Sequence, residues 1–158
     1  MAFREVALPA GTPGRLLLDA MPGRFESWPA FTQRAQRERL AVVACLTPRD
    51  ELEELSPAYH AAVGGGRLAF RWTHVPMRNF GTPDDAAAFR RAIGELAQAL
   101  QAGETVLLHC AAGIGRTGSA AACVLKALGL DAQEALQRVR AAGSNPQNAQ
   151  QAGFVEWF

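Results

Sequence analysis

The sequence predicts an α/β protein, a three-layer α/β/α sandwich with a mostly parallel central sheet, as one domain over residues 1–158. Three observations carry that expectation. Short apolar, partly β-branched runs such as Leu40-Ala41-Val42-Val43-Ala44-Cys45-Leu46 and Thr105-Val106-Leu107-Leu108-His109 read as buried strands. Longer helical stretches alternate with them, the pattern of a sheet covered on both faces. The chain has 49% hydrophobic and 20% charged residues, enough for one sizeable core, and no repeat, low-complexity tract or linker divides it.

In chain order, Arg15-Leu16-Leu17-Leu18-Asp19 is a short strand, followed by a Met21-Pro22-Gly23 turn. Ser27 caps a helix that runs to about Arg39, and the strand from Leu40 follows. Pro48 to Leu55 forms a short glutamate-rich helix, Gly64-Gly65-Gly66 a flexible turn, and Arg67 to Val75 a third strand. Thr82-Pro83-Asp84-Asp85 opens a long helix, with threonine as cap, proline in the first turn and acids facing the dipole. That helix ends at Gly103, and three more start near Thr117, Asp131 and Asn148.

Composition narrows the function. The net charge of +1 favours neither nucleic acid nor an acidic membrane surface. Three cysteines at unrelated spacing do not make a secreted disulfide framework. The first nine residues lack the long apolar core of a signal peptide, and no apolar run is long enough to span a bilayer. A reducing cytoplasm is the expected compartment, with export as a bacterial effector a compatible alternative.

The chemistry concentrates in His109-Cys110-Ala111-Ala112-Gly113-Ile114-Gly115-Arg116-Thr117-Gly118. A strand precedes this stretch and a helix follows it, so Cys110 begins a tight loop at a helix N-terminus. The glycines let successive backbone N–H groups turn inward as an anion nest backed by the helix dipole. The phosphate-binding residues are then Ala111, Ala112, Gly113, Ile114, Gly115 and Arg116, with the planar Arg116 fork able to grip two oxygens at once. The same positive field favours the nucleophilic thiolate of Cys110. Gly113 to Gly118 also matches the dinucleotide fingerprint G-x-G-x-x-G. That fingerprint needs a second strand ending in an acid some twenty residues on. Here the next acid, Asp131, precedes a helix. No lysine follows the glycines, which excludes a P-loop nucleotide site.

His109-Cys110, five residues, then Arg116-Thr117-Gly118 resembles the signature loop of the cysteine-dependent protein tyrosine phosphatases, and is most similar to the small dual-specificity class. The likeness extends to Val42 to Thr47, an early buried strand, to Val75 to Pro83, the segment that carries the family's general acid, and to Asn145 to Gln151, a late loop near the site. It implies a dual-specificity phosphatase-like fold and two-step phosphoryl transfer through a phosphocysteine, with Cys110 and Arg116 catalytic. Thr117 would hydrogen-bond the leaving thiolate, and His109 would support the loop. No metal or cofactor enters that chemistry. The partner implied is a phosphorylated protein or peptide. The loop interior carries no lysine of the kind that reads inositol phosphates, and no N-terminal extension builds a deep pocket.

One departure stands out. The family's acid is an aspartate about thirty residues before the cysteine, whereas here the matching residue is Asn79, 31 positions before Cys110. An amide cannot donate a proton at neutral pH. Asp84 and Asp85 follow closely; both suit helix capping, and Asp84 is taken as the substitute acid. A phospho-dependent binding module is the competing reading, with Asn79 holding the substrate. Cys45, on a central strand, is a packing residue or a redox partner for Cys110.

Overall fold

The computed structural model describes residues 2–78 and 81–158. Its strands are β1 (Arg4–Val6), β2 (Arg15–Asp19), β3 (Leu40–Cys45), β4 (Arg71–His74) and β5 (Thr105–His109). They form one sheet in the order β1-β2-β5-β3-β4. The edge pair β1–β2 is antiparallel, and every other pairing is parallel. The helices are α1 (Trp28–Arg37), α2 (Arg49–Leu55), α3 (Pro57–Gly64), α4 (Ala86–Gln101), α5 (Gly115–Ala127), α6 (Ala132–Ala141) and α7 (Ala149–Trp157).

The strand period of two sorts side chains into two cores. Leu16, Leu18, Val42, Ala44, Val106 and Leu108 face α4, α5, α6 and α7, packing with Phe89, Ile93, Val124, Val139 and Val155. Leu17, Val43 and Leu107 face the other way, onto Phe31 and Ala35 of α1. Beside them Met21 and Cys45 pack with Leu52 of α2 and Tyr59 of α3. Each fully buried leucine or valine contributes about 1.5–3 kcal/mol, so both faces of β2, β3 and β5 need their helices. The α/β/α sandwich and the mostly parallel sheet are as expected. Among the described residues no helix is long and apolar enough to cross a membrane.

Two local expectations need correction, and two elements were not foreseen. The third strand covers Arg71–His74, not Arg67 to Val75, because Gly66 (φ +66°) turns the chain and the Arg67 N–H bonds Ala62 O at the end of α3. Helix α3 was not anticipated: Ser56 gives its hydroxyl to Pro22 O rather than capping the helix. The three-residue β1 was missed too, being too short to show alternation. Helix α4 starts at Ala86, with Asp85 and not Thr82 as cap; Asp85 Oδ1 accepts from Ala88 N at 3.0 Å. Pro83 is instead held in an isolated bridge with Met77. The caps Ser27, Asp131 and Asn148 stand where the sequence places them.

Candidate active site

Strand β5 lies between β2 and β3, so its carboxyl end opens in the middle of the sheet, where parallel α/β sheets place ligands. The chain leaves it at Cys110, loops through residues 111–114 and enters α5 at Gly115. Several carbonyls at and around the loop are held by neighbouring segments. His109 O accepts from Leu46 N at 3.0 Å, and Ala111 O from Met21 N at 3.3 Å and from Arg24 Nη1 at 2.8 Å. Ile114 O accepts from Gly118 N at 2.8 Å and Asn145 N at 3.2 Å. A trans peptide is planar, so a carbonyl fixed outward turns the next N–H the other way. The Gly113 N–H reaches the Cys110 sulfur at 3.2 Å. A Cβ on Gly118 would come within 2.6 Å of Asn145 N, and one on Gly115 would collide with the Gln147 side chain. The 145–148 loop therefore packs directly on the signature loop, while Ala149 to Gln151, expected to continue it, begin α7.

Arg116 is 2% exposed. Its Nη1 and Nη2 donate to the two oxygens of Glu51 at 3.0 Å each, and Nη1 also donates to Met77 O at 3.0 Å. The bidentate pair fixes the plane of the guanidinium. Glu51 was missed, because an acid in the first turn of a helix looks like ordinary dipole chemistry. Thr117 is fully buried, and its hydroxyl oxygen has no hydrogen-bond partner among the described residues.

His109 has a defined tautomer. The Trp72 indole N–H can only donate, and it gives to the Tyr59 hydroxyl at 2.8 Å. Tyr59 in turn donates to His109 Nε2 at 2.7 Å. The ring proton therefore sits on Nδ1 and goes to Cys110 O at 3.2 Å. Burial, aided by the Arg116 charge, holds the imidazole down to about 3, so it is neutral.

Cys110, Ala111, Ala112, Gly115 and Arg116 line a cavity of about 380 Å³, together with Arg24, Glu51, Glu54 and Gln147. Asp84 is exposed and lies on a different cavity, of about 120 Å³, with His74, Pro83 and Ala88. Asn79 lies outside the described residues. A larger hollow of about 470 Å³ between α1 and the 67–70 turn contains no nucleophile. The Cys45 thiol is wholly buried, points to Thr47 and is pushed up to about 11 by burial. Among the described residues no cluster of His, Cys, Asp and Glu could hold a metal ion.

A cysteine at a strand end, a loop of inward amides and a buried, braced arginine on an α/β/α sandwich define the protein tyrosine and dual-specificity phosphatase class. Residues 23–153 match the PTP-SAK family, described as Swiss Army Knife protein, DSP-PTPase phosphatase domain, and the chain belongs to that family. It is 30% identical over 104 residues to "Putative tyrosine phosphatase 067L" of Invertebrate iridescent virus 3, covering 64% of this chain and 41% of the viral protein. Among solved structures it is similar to kinase associated phosphatase with its catalytic site cysteine changed to serine, at a TM-score of 0.84 and 21% identity over 98% of this chain and 92% of that one. Human DUSP28 shares the fold at a TM-score of 0.67 and 16% identity, over 98% and 91%.

Proposed function

We propose that this chain hydrolyses phosphotyrosine, together with phosphoserine or phosphothreonine, on proteins through a phosphocysteine intermediate. The observation that carries the reading is Arg116, buried beside Cys110 and clamped in one plane by both oxygens of Glu51. An arginine so held offers its remaining N–H groups to a bound phosphoryl oxygen without reorganising, which is where electrostatic preorganisation gains most.

In the first step the Cys110 thiolate attacks phosphorus, the S–P bond forms and the P–O bond to the substrate breaks. The three equatorial oxygens rest on Arg116 and on the amides of residues 111 to 116. The leaving oxygen takes a proton from a carboxyl. In the second step the carboxylate so formed takes a proton from water, the water oxygen attacks phosphorus and the S–P bond breaks, releasing inorganic phosphate and the thiolate. Thr117 donates its hydroxyl hydrogen to that thiolate, giving its buried oxygen the partner it lacks. His109, neutral and fixed, orients the Cys110 carbonyl rather than moving protons.

Two carboxyls compete for the proton. Asp84 follows the segment where the family carries its acid, but it lies on a separate cavity. Glu54 shares the cavity of Cys110 and makes no ion pair among the described residues, while its neighbour Glu51 is committed to Arg116. Both stand on α2, three residues apart, and so share a helix face. We take Glu54 as the proton donor because it shares the cavity of Cys110; Asp84 becomes one only if its segment moves over Cys110.

The test is the pH–rate profile for an aryl and an alkyl phosphate, in wild type, Glu54→Gln, Asp84→Asn, Asn79→Asp and Cys110→Ser. Cys110→Ser is expected to abolish turnover, and residual activity there would refute the nucleophile. Loss of the alkaline limb in Glu54→Gln, with a rate drop of about 10²-fold that is steepest for the alkyl ester, identifies Glu54. The same loss in Asp84→Asn identifies Asp84 instead. An alkaline limb gained only in Asn79→Asp, with wild type capturing phosphopeptides without turnover, would favour the binding-module reading.

A further inference from the structure

One carbonyl of the signature loop is held by residues remote in sequence that the mechanism leaves unused. Gly113 O accepts from Arg4 Nη2 at 2.6 Å and from Ser144 Oγ at 2.6 Å. Arg4 Nη1 also donates to Ser144 Oγ at 2.8 Å and to Ala142 O at 3.0 Å. Ser144 is 1% exposed. Gly113 has φ +77°, and a Cβ there would sit 2.5 Å from Asp19 O, so this peptide is packed tightly from behind.

The charge on Arg4 makes the arrangement more than packing. Ser144 alone would satisfy the carbonyl. Arg4 adds a partly buried guanidinium that makes no ion pair among the described residues; the one nearby acid lining the same hollow, Asp19, is taken by Arg34. Removing a cation from water toward neutral carbonyls carries a desolvation cost. That cost is offset where the charge stands behind a bound anion, because fields in a partly buried site are weakly screened. Holding the Gly113 carbonyl outward also turns the Ile114 N–H toward the cradle, since the two groups share one trans peptide plane.

We propose that Arg4 and Ser144 are positioning residues of the phosphate cradle, locking the Gly113–Ile114 peptide and placing a positive charge behind the bound phosphoryl group. The edge strand β1 thereby becomes part of the anion site. This inference rests on the phosphatase reading above.

The experiment measures inhibition by orthovanadate, with kcat, KM and thermal midpoint, for wild type, Arg4→Gln, Arg4→Lys and Ser144→Ala. Arg4→Gln is expected to weaken vanadate inhibition and lower kcat/KM in parallel, by about tenfold, as for one charge-assisted hydrogen bond. Arg4→Lys should restore most of the vanadate affinity, and Ser144→Ala should lose a few-fold. Folded Arg4→Gln with wild-type vanadate affinity overturns the proposal. So does a rate loss that matches only the unfolded fraction. If Arg4→Gln does not fold, unchanged vanadate affinity in both Arg4→Lys and Ser144→Ala overturns it instead. Wild type that neither binds vanadate nor turns over aryl phosphate would refute the phosphatase reading, a result distinct from these.

Discussion

Two segments meet at the site and are built in opposite ways. The signature loop is pinned carbonyl by carbonyl, to Leu46, Met21, Arg24, Arg4, Ser144 and Asn145, and its arginine is braced by Glu51. Among the described residues, the segment from Met77 to Asp85, where the sequence looks for an acid, is tied at Met77 to Leu46 O and Arg116, by a bridge between Met77 and Pro83, by Gly81 N donating to Arg78 O, by a contact from Gln151 Nε2 to Gly81 O, and by the Asp85 cap. On the proposed reading, anion binding is therefore built in before substrate arrives. On the same reading the proton donor, Glu54, stands one turn from Glu51 on α2, so proton delivery comes from the helix that braces Arg116 and not from the Met77 to Asp85 segment.

Three predictions bear on that contrast, from the largest effect down. The first concerns His109. Its folded value of about 3 lies below the ordinary imidazole value of about 6.5. Between those limits the unfolded chain binds a proton that the native state refuses, so stability falls as pH drops from 6.5 toward 3, by on the order of 5 kcal/mol. Urea unfolding of wild type and His109→Gln at pH 7 and pH 4.5 checks this; a variant as acid-sensitive as wild type would contradict it.

The second concerns Glu51→Gln, which leaves Arg116 with a neutral partner. kcat/KM should fall by about 10²-fold, roughly 2.7 kcal/mol, and the thermal midpoint should fall as well, because Arg116 is left as a buried charge without its counter-ion. A change under threefold would mean that Arg116 holds its plane without Glu51. The smallest effect is expected at the looser segment. Asp85→Ala removes the α4 cap and should cost about 1 kcal/mol of stability while leaving kcat/KM within twofold. A large rate loss there would show that this segment is coupled to the chemistry after all.

The legible and illegible parts of the sequence divide along the same line. Cys110, Arg116 and the glycines could be found because their chemistry depends on local spacing. β2, β3 and β5 could be found because buried strands are continuously apolar. What could not be read depends on contacts distant in sequence. Glu51 meets Arg116 across 65 residues, Arg4 meets Gly113 across 109, and Tyr59 meets His109 across 50. In sequence each looks like a surface charge or a packing aromatic. The cap of α4 was misplaced by three residues because Thr82-Pro83 and Asp85 both satisfy capping rules, and only the Met77–Pro83 bridge decides between them.

The chain from Trp72 through Tyr59 to His109 also gives the protein an optical handle. The indole of Trp72 is one hydrogen bond from the Tyr59 hydroxyl, which is one more from the ring that steadies Cys110, while Trp157 is 88% exposed to water. A shift of His109 disturbs that hydroxyl, so it is expected to register in the emission of Trp72 and of Trp28, which stacks on the Tyr59 ring at 5.4 Å.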